Sequence, residues 1–378
     1  MLLYITYLIT EYHKDNITQI QQAMKKIVFL SSPNAGGAER MTLLYAKILY
    51  AKGFNCSIVI TRWKDDKVLL LEFIPKDIPF HIINLRHGWL ADYRIALRMW
   101  IERADIIFCS QPGNTKRILK MKQLGLLHQK IVFRDYLMPH DQISTPGQKG
   151  VDIFANADAI IAQTEEMKQE MLHYYHLDAS SVVVINNPLD KQLIKDCIKE
   201  RFPFDKSYIN FIAINRVDPQ KDLETMIRAF SIVCKTKPKS RLYICGNDSN
   251  KEYLNKLEVL VKELALEKLV FFEGPQANPF KYLIYADVFC LSSLYEGLPN
   301  GMLEAMYLGI PVAVTQSIPY IRQVVREGVD GYTVKINDAS AFAEAMLKAS
   351  RLKITNKFID INNSEEKIYN LFNSLERK

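Results

Sequence analysis

Short apolar runs alternate with stretches of helical spacing along most of the chain, and few folds satisfy that order. Lys26–Ser31 (KIVFLS) reads as a first buried strand, Ala38–Ala51 as a helix closed by Gly53, and Ser57–Thr61 (SIVIT) as the next strand. Ile106–Cys109, Ile131–Phe133, Ala159–Ala162 and Val182–Ile185 continue the series. The pattern then begins again. Strands are expected at Phe211–Ile214, Arg241–Cys245, Val270–Phe272, Val288–Leu291, Val312–Val314 and Tyr332–Val334, with helices at Leu223–Lys235, Lys251–Leu264, Gly301–Leu308 and Ala339–Ser350. Such alternation gives parallel sheets covered by helices on both faces. The expected class is α/β, with two Rossmann-like doubly wound domains in tandem. A chain of 378 residues accommodates them at about 150 residues per domain. Ligands bind beyond the carboxyl ends of strands in open α/β sheets. Two such domains facing each other are therefore expected to hold a ligand in a central cleft.

The domain boundary is expected near Asn187–Asp205, where Asn-Asn-Pro ends a strand and Arg-Phe-Pro-Phe opens the next unit. Residues 24–195 then form the N-terminal domain and 205–350 the C-terminal one, with 351–378 as a tail whose Ser364–Leu375 reads as a helix. Met24-Lys-Lys-Ile-Val-Phe-Leu looks like a natural beginning, so residues 1–23 are expected to be an N-terminal extension with no place in the sheet. A membrane-dipping anchor is the less favoured reading of that segment, because its polar second half is only weakly amphipathic. Its apolar run, Met1–Thr10, is too short to span a bilayer and lacks the marks of a signal peptide.

Composition excludes several classes. With 48% hydrophobic and 24% charged residues the chain is neither disordered nor collagenous. Its net charge of +7 suits an anionic ligand or a membrane surface without demanding nucleic acid. The six cysteines form no C-x-x-C pair, which argues against a disulfide framework or zinc site and for a reducing cytoplasm. His173 and His176 stand i, i+3 with no third ligand nearby and read as solvated helix histidines.

Three segments carry chemistry. In Ser292–Pro311 (SSLYEGLPNGMLEAMYLGIP) a strand end leads through Gly297, Pro299 and Asn300 into a helix starting near Gly301. The free N–H groups and positive dipole end of that helix suit a phosphate or sugar oxygens. Glu296 in the loop and Glu304, taken to lie in the first helical turn, are eight residues apart and can face one ligand. Singly, each also reads as an ordinary solvated or dipole-favoured acid. In Ile214–Phe230, Arg216 and Lys221 occupy the loop before a helix whose start Asp222 marks. Two cations there suit a diphosphate, Arg as a bidentate fork and Lys as a point charge; the plainer reading is a pair of solvated surface cations. In Ser31–Arg40 (SSPNAGGAER), Gly36 and Gly37 allow φ > 0 and close backbone approach to a ligand, but the segment is not G-x-G-x-x-G, and the dinucleotide fingerprint fails.

The order GGAER, then Asn-Arg-Val-x3-Lys-Asp, then Glu-Gly-Leu-Pro-Asn-x3-Glu-Ala-Met resembles the retaining, nucleotide-sugar-dependent glycosyltransferases of family 4, which have the GT-B fold. Ala157-Asp-Ala-Ile-Ile-Ala-Gln-Thr, Ile185-Asn-Asn-Pro-Leu-Asp and Leu242-Tyr-Ile-Cys-Gly support the resemblance, which runs from about Lys25 to Leu347. It implies an acceptor domain first, a nucleotide-sugar donor domain second, and a terminal helix crossing back to the first. It implies that Arg216 and Lys221 grip the donor diphosphate, that Glu304 bonds the ribose hydroxyls, and that Glu296 holds a sugar hydroxyl near the reacting carbon. Backbone groups of Gly297, Leu298, Pro299, Asn300, Gly301 and Met302 would line the sugar and diphosphate, and Gly37 would approach the phosphates from the other domain. No D-x-D motif stands in a matching place, so no metal ion or other cofactor is expected beyond the nucleotide-sugar co-substrate, a UDP-sugar by resemblance.

There are departures. The family usually writes Gly-Arg-Leu where this chain has Asn215-Arg216-Val217. Many members carry a histidine at the end of a first-domain strand. Here Arg134, Asp135 or the later His140 stand as weak candidates for that place. The Arg94–Lys122 segment holds seven cations against Glu102 and Asp105, interleaved with Met99, Trp100, Leu119, Met121 and Leu124. It reads equally as a surface for anionic lipid headgroups or as two solvated amphipathic helices. The leading expectation is transfer of a hexose or N-acetylhexosamine to a glycan or lipid-linked acceptor in surface-polysaccharide, capsule or lipopolysaccharide synthesis, in the cytoplasm or at the inner membrane face. A GT-B sugar-nucleotide epimerase and a non-catalytic GT-B partner subunit are the alternatives. A dehydrogenase is the weakest reading.

Overall fold

The computed structural model describes residues 25–34, 36–63, 68–85, 88–140, 151–200, 204–247, 250–354 and 363–375. The extension expected at residues 1–23 lies outside the described residues. The chain divides into two compact units. The first ends at Asn187 and takes in the segment from Asn362 onward; the second is Pro188–Ile361.

The first unit contains β1 (Lys26–Ser31), α1 (Gly37–Ala51), β2 (Asn55–Trp63), β3 (Phe80–Leu85), α2 (Gly88–Ile101), β4 (Ile106–Cys109), α3 (Pro112–Gln123), β5 (Lys130–Arg134), β6 (Ala159–Ala162), α4 (Glu165–Tyr174) and β7 (Val182–Val184). Its seven strands run parallel in the order β3-β2-β1-β4-β5-β6-β7. β1 and β4 are buried on both faces, which is why they read as unbroken apolar runs. β3 is absent from the expected strands for the opposite reason. It is an edge strand whose Phe80, His81 and Ile82 are exposed, and its sequence (FHIINL) carries neither a continuous apolar run nor clean alternation. Asp158 ties β5 to its neighbours: Oδ2 accepts from Ile131 N at 2.8 Å and pairs with Lys122, while Oδ1 lies 3.3 Å from Lys130 Nζ.

The second unit contains α5 (Lys191–Cys197), β8 (Ile209–Ile214), α6 (Leu223–Thr236), β9 (Ser240–Cys245), α7 (Lys251–Glu263), β10 (Val270–Gly274), α8 (Phe280–Leu283), β11 (Val288–Leu291), α9 (Asn300–Leu308), β12 (Val312–Thr315), α10 (Pro319–Val324), β13 (Gly331–Val334) and α11 (Ala339–Ala349). Its sheet is parallel throughout, in the order β10-β9-β8-β11-β12-β13. The unit starts at Pro188 instead of after residue 195, because α5 is bound to its own side of the boundary. Asn278 Nδ2 donates to Cys197 O at 2.8 Å, and Lys281 Nζ pairs with Glu200 at 2.8 Å.

The terminal helix α12 (Ser364–Ser374) belongs to the first unit. Ile368 and Phe372 are fully buried in that unit's core, with the Phe372 ring 6.0 Å from Phe108. Two such side chains stabilise the docked helix by roughly 1.5–3 kcal/mol each. The tail therefore crosses back, as the GT-B resemblance implies.

Both sheets have the doubly wound order that creates a topological switch point. It lies between β1 and β4 in the first unit and between β8 and β11 in the second.

Candidate active site

The loops that follow β8 and β11 carry Arg216, Lys221 and Glu296, and α9, which follows the second loop, carries Glu304. The loops leave the two strands that flank the second unit's switch point, where a doubly wound sheet opens its binding crevice.

The β8 loop is built by local capping. Asn215 N donates to Cys245 O at 3.0 Å and Val217 N to Asn247 O at 2.8 Å, with Val217 buried and Arg216 between them exposed. Gly246 makes this approach possible, since a Cβ there would stand 1.7 Å from Asn215 O. Asp218 caps the short turn Pro219–Lys221 by accepting from Gln220 N at 3.0 Å. Asp222, left-handed at φ 43°, caps α6 by accepting from Thr225 N at 3.3 Å. A non-glycine residue tolerates that conformation when its short polar side chain bonds locally. Burial holds the Asp222 carboxyl above its ordinary range, partly offset by the bonds to Thr225.

The β11 loop is stitched to the β8 loop. Ser292 Oγ donates to Lys221 O at 2.7 Å, Leu294 N to Gln220 O at 2.9 Å, and Gln220 Nε2 to Tyr295 O at 2.9 Å. The outcome is a close ion pair, Lys221 Nζ to Glu296 Oε1 at 2.6 Å, with both side chains nearly buried. Ser293 Oγ donates to the same oxygen at 2.6 Å, and Thr315 Oγ1 fixes Ser293 by donating to its carbonyl at 2.6 Å. Arg216 Nη2 donates to Gln220 Oε1 at 3.1 Å and Nη1 lies 3.8 Å from Asp218 Oδ2, while most of the guanidinium side chain is open to solvent. An ammonium has three donors and a guanidinium five. Lys221 and Arg216 thus keep donors for an anion while held in place.

Pro299 offers no side-chain acceptor, and no side-chain cap closes the start of α9. Leu298 and Met302 bury their side chains and can present only main chain to a ligand, whereas the half-buried Asn300 between them also carries an amide. Gly301 is set by packing, since a Cβ would come 3.1 Å from the buried ring of Phe289. Glu304 is half-buried and sits in the second turn of α9, not the first. A helix-dipole role is weaker there, because the effect fades after one turn.

In the first unit Gly36 and Gly37 lie at the switch-point end of β1, but neither uses φ > 0. Gly36 is extended (φ −74°) as the N-cap of α1, and a Cβ on it would come 2.9 Å from Glu39 Oε2, whose other oxygen accepts from Ser32 Oγ at 2.6 Å. Arg134 and Asp135 are buried inside this unit. Asp135 Oδ2 accepts from Tyr175 OH at 3.0 Å and Oδ1 from Tyr136 N at 2.8 Å. Arg134 donates to Asn187 Oδ1 and stands over the Tyr45 ring. Burial pushes the Tyr45 phenol up to about 12 against the pull of Arg134, and burial lowers the Arg134 guanidinium. The Arg134 and Asp135 side chains both lie in the interior of this unit. His140 is exposed and pairs through Nδ1 with Glu170 at 2.7 Å.

Comparison with known proteins divides the chain between residues 193 and 195, a few residues after the structural division at Asn187/Pro188. Residues 35–193 match the family model described as Glycosyltransferase Family 4, and residues 195–365 match Glycosyl transferases group 1. Each half of the chain thus matches a model of a glycosyltransferase family. A Methanocaldococcus jannaschii protein described as an uncharacterized glycosyltransferase is 35% identical over 42% of this chain and 40% of its own length. An Escherichia coli UDP-Gal:alpha-D-GlcNAc-diphosphoundecaprenol alpha-1,3-galactosyltransferase is 27% identical over 61% of this chain and 60% of its own. The chain thus matches less than two thirds of either curated relative. Anabaena HepE, solved in complex with UDP-glucose, shares the fold at a TM-score of 0.73 and 19% identity, covering 93% of this chain and 100% of its own.

Sequence reasoning gave no role to Ser293 or Gln220, and quoted Gly246 only as the end of the Leu242–Gly246 motif. Ser293 and Gln220 stand beside or within one turn of the residues they hold, but only the meeting of the β8 and β11 loops gives them partners.

Proposed function

We propose that this chain transfers a hexose or N-acetylhexosamine from a UDP-sugar to a glycan or lipid-linked acceptor, with retention at the anomeric carbon and without a metal ion. The observation that carries the reading is the Lys221–Glu296 pair beside Arg216, at the switch point and the open start of α9. In this reading Arg216 and Lys221 face the diphosphate and take up the negative charge that develops on the departing nucleotide. Main-chain N–H groups at the start of α9 bind beside them. Glu296, fixed by Lys221 and Ser293, accepts a hydroxyl of the sugar close to the carbon where positive charge develops. Glu304 takes the ribose. Gly37 is assigned a contact to the donor phosphates.

UDP-glucose bound to HepE and the undecaprenol-linked acceptor in the name of the Escherichia coli relative support the donor and acceptor classes. Surface-polysaccharide synthesis at the inner face of the cytoplasmic membrane is the setting that fits them. No helix among the described residues is long and apolar enough to cross a membrane.

The test is incubation of the full chain with UDP-hexoses and UDP-N-acetylhexosamines in EDTA, with and without lipid-linked acceptors, followed by NMR of the product anomer. Acceptor-dependent product with the donor's configuration is expected. Loss of turnover in EDTA with rescue by Mg²⁺ or Mn²⁺ refutes metal independence, and donor converted without acceptor identifies an epimerase.

A further inference from the structure

Helix α2 is apolar on both sides. Ala91, Ile95, Ala96 and Met99 are buried beneath it, yet Leu90, Tyr93, Leu97, Trp100 and Ile101 are exposed, Leu97 at 57% and Trp100 at 72%. At 3.6 residues per turn, these five outward side chains fall within an arc of about 100°. A solvated surface helix puts polar residues there. The five form one continuous stripe instead of scattered exposed apolar residues, and a contiguous apolar surface of this kind marks an interaction site.

The charges beside the stripe have one sign. Arg94 borders it on α2, Arg103 follows the helix end, and Lys120 lies on α3, which packs beside α2; all three are exposed. Of the three acids in and just after α2, Asp105 accepts from Lys26 N at 2.7 Å and the other two are ion-paired. Asp92 pairs with Arg117 at 2.6 Å, and Glu102 is held by Arg98 and by Lys26 at 3.4 Å.

We propose that α2 docks the first unit on an anionic lipid bilayer, with the Leu90-to-Ile101 stripe in the acyl–headgroup boundary and Arg94, Arg103 and Lys120 on the headgroup phosphates. Trp and Tyr favour that boundary, where one end of the ring is apolar and the other wet. Cations beside the apolar face add attraction to anionic lipid. A second copy of the chain is a poorer occupant. A two-fold contact sets the same patch against itself, and that would gather both copies' cations around one seam. The inference stands apart from the donor chemistry, since none of its residues belongs to the β8 or β11 loops.

The experiment is flotation of the full chain with phosphatidylcholine vesicles and with vesicles containing phosphatidylglycerol. Stable fold is checked by circular dichroism and melting. The chain is expected to float with the anionic vesicles and to be released by salt. Leu97→Ser with Trp100→Ser should weaken binding at least about tenfold while leaving the fold intact, since both side chains are exposed. Arg94→Ala and Arg103→Ala should each cost about fivefold on anionic vesicles only. Wild-type protein that stays with the lipid-free fraction overturns the proposal, as do stripe variants that float like wild type. So does a wild-type dimer that the Leu97/Trp100 variant splits into monomers. Binding lost on deleting residues 1–23 but kept by the stripe variants makes that segment the anchor and also overturns it.

Discussion

Lys221 Nζ and Glu296 Oε1 stand 2.6 Å apart across 75 residues of sequence. Neither residue is where a surface ion pair would be. Both side chains are nearly buried, and Ser293 reinforces the shared oxygen. The pair therefore fixes the two loops against each other.

Removing one partner of a buried pair leaves an uncompensated charge, which costs up to about 3–5 kcal/mol. Lys221→Met and Glu296→Gln should each destabilise the chain. The double variant should be less destabilised than the sum, with a coupling of about 0.5–3 kcal/mol. Urea unfolding of the four proteins measures this, and strictly additive losses contradict the pairing.

The two glutamates should separate in kinetics. A ribose contact is made equally in ground and transition states, so Glu304→Gln should chiefly raise KM for the donor. Glu296 is proposed to lie where charge develops, so Glu296→Gln should chiefly lower kcat. Donor kinetics at saturating acceptor decide between these roles, and the opposite pattern exchanges them.

Gly246 is a backbone requirement. A methyl group there would stand 1.7 Å from Asn215 O, and backbone cannot swing aside as a flexible side chain can. Gly246→Ala should displace the Asn215–Arg216 segment and weaken UDP binding even if the fold survives. Titration of the variant with UDP checks this, and wild-type affinity would show that the loop yields cheaply.

Much of this arrangement was legible beforehand, and the limits have physical causes. β1, β4, β6 and β11 occupy the spans their apolar runs mark, because a central parallel strand is buried on both faces. Edge strand β3 carries no such signature. Glu296 and Lys221 stood out through spacing and family resemblance, but their pairing depends on β8 and β11 being neighbours, and a switch point is a tertiary fact. Arg134 looked available at a strand end; the structure buries it against Tyr45 and Asn187.

Acid stability should depend on Asp158. Burial raises its carboxyl, but the bonds from Lys122 and Ile131 outweigh burial and hold it below the ordinary aspartate value. The unfolded chain then binds this proton first as pH falls. The contribution is complete above about pH 4 and is lost as pH drops through the lowered folded value. Melting curves from pH 6 to pH 3 should therefore fall more steeply for wild type than for Asp158→Asn, and parallel curves contradict the assignment.

The central claim is that the β8 loop grips a diphosphate. Calorimetric titration of the full chain with UDP and with UMP tests it most directly, because the two ligands share base and ribose and differ in the phosphate that Arg216 and Lys221 are proposed to hold. Hydrogen bonds to charged groups contribute about 1.5–3 kcal/mol. UDP should therefore bind roughly ten- to a hundredfold more tightly than UMP, and Arg216→Ala should remove most of that difference while leaving UMP affinity unchanged. Equal affinity of the wild-type chain for UDP and UMP, or a full UDP preference in Arg216→Ala, would contradict the account.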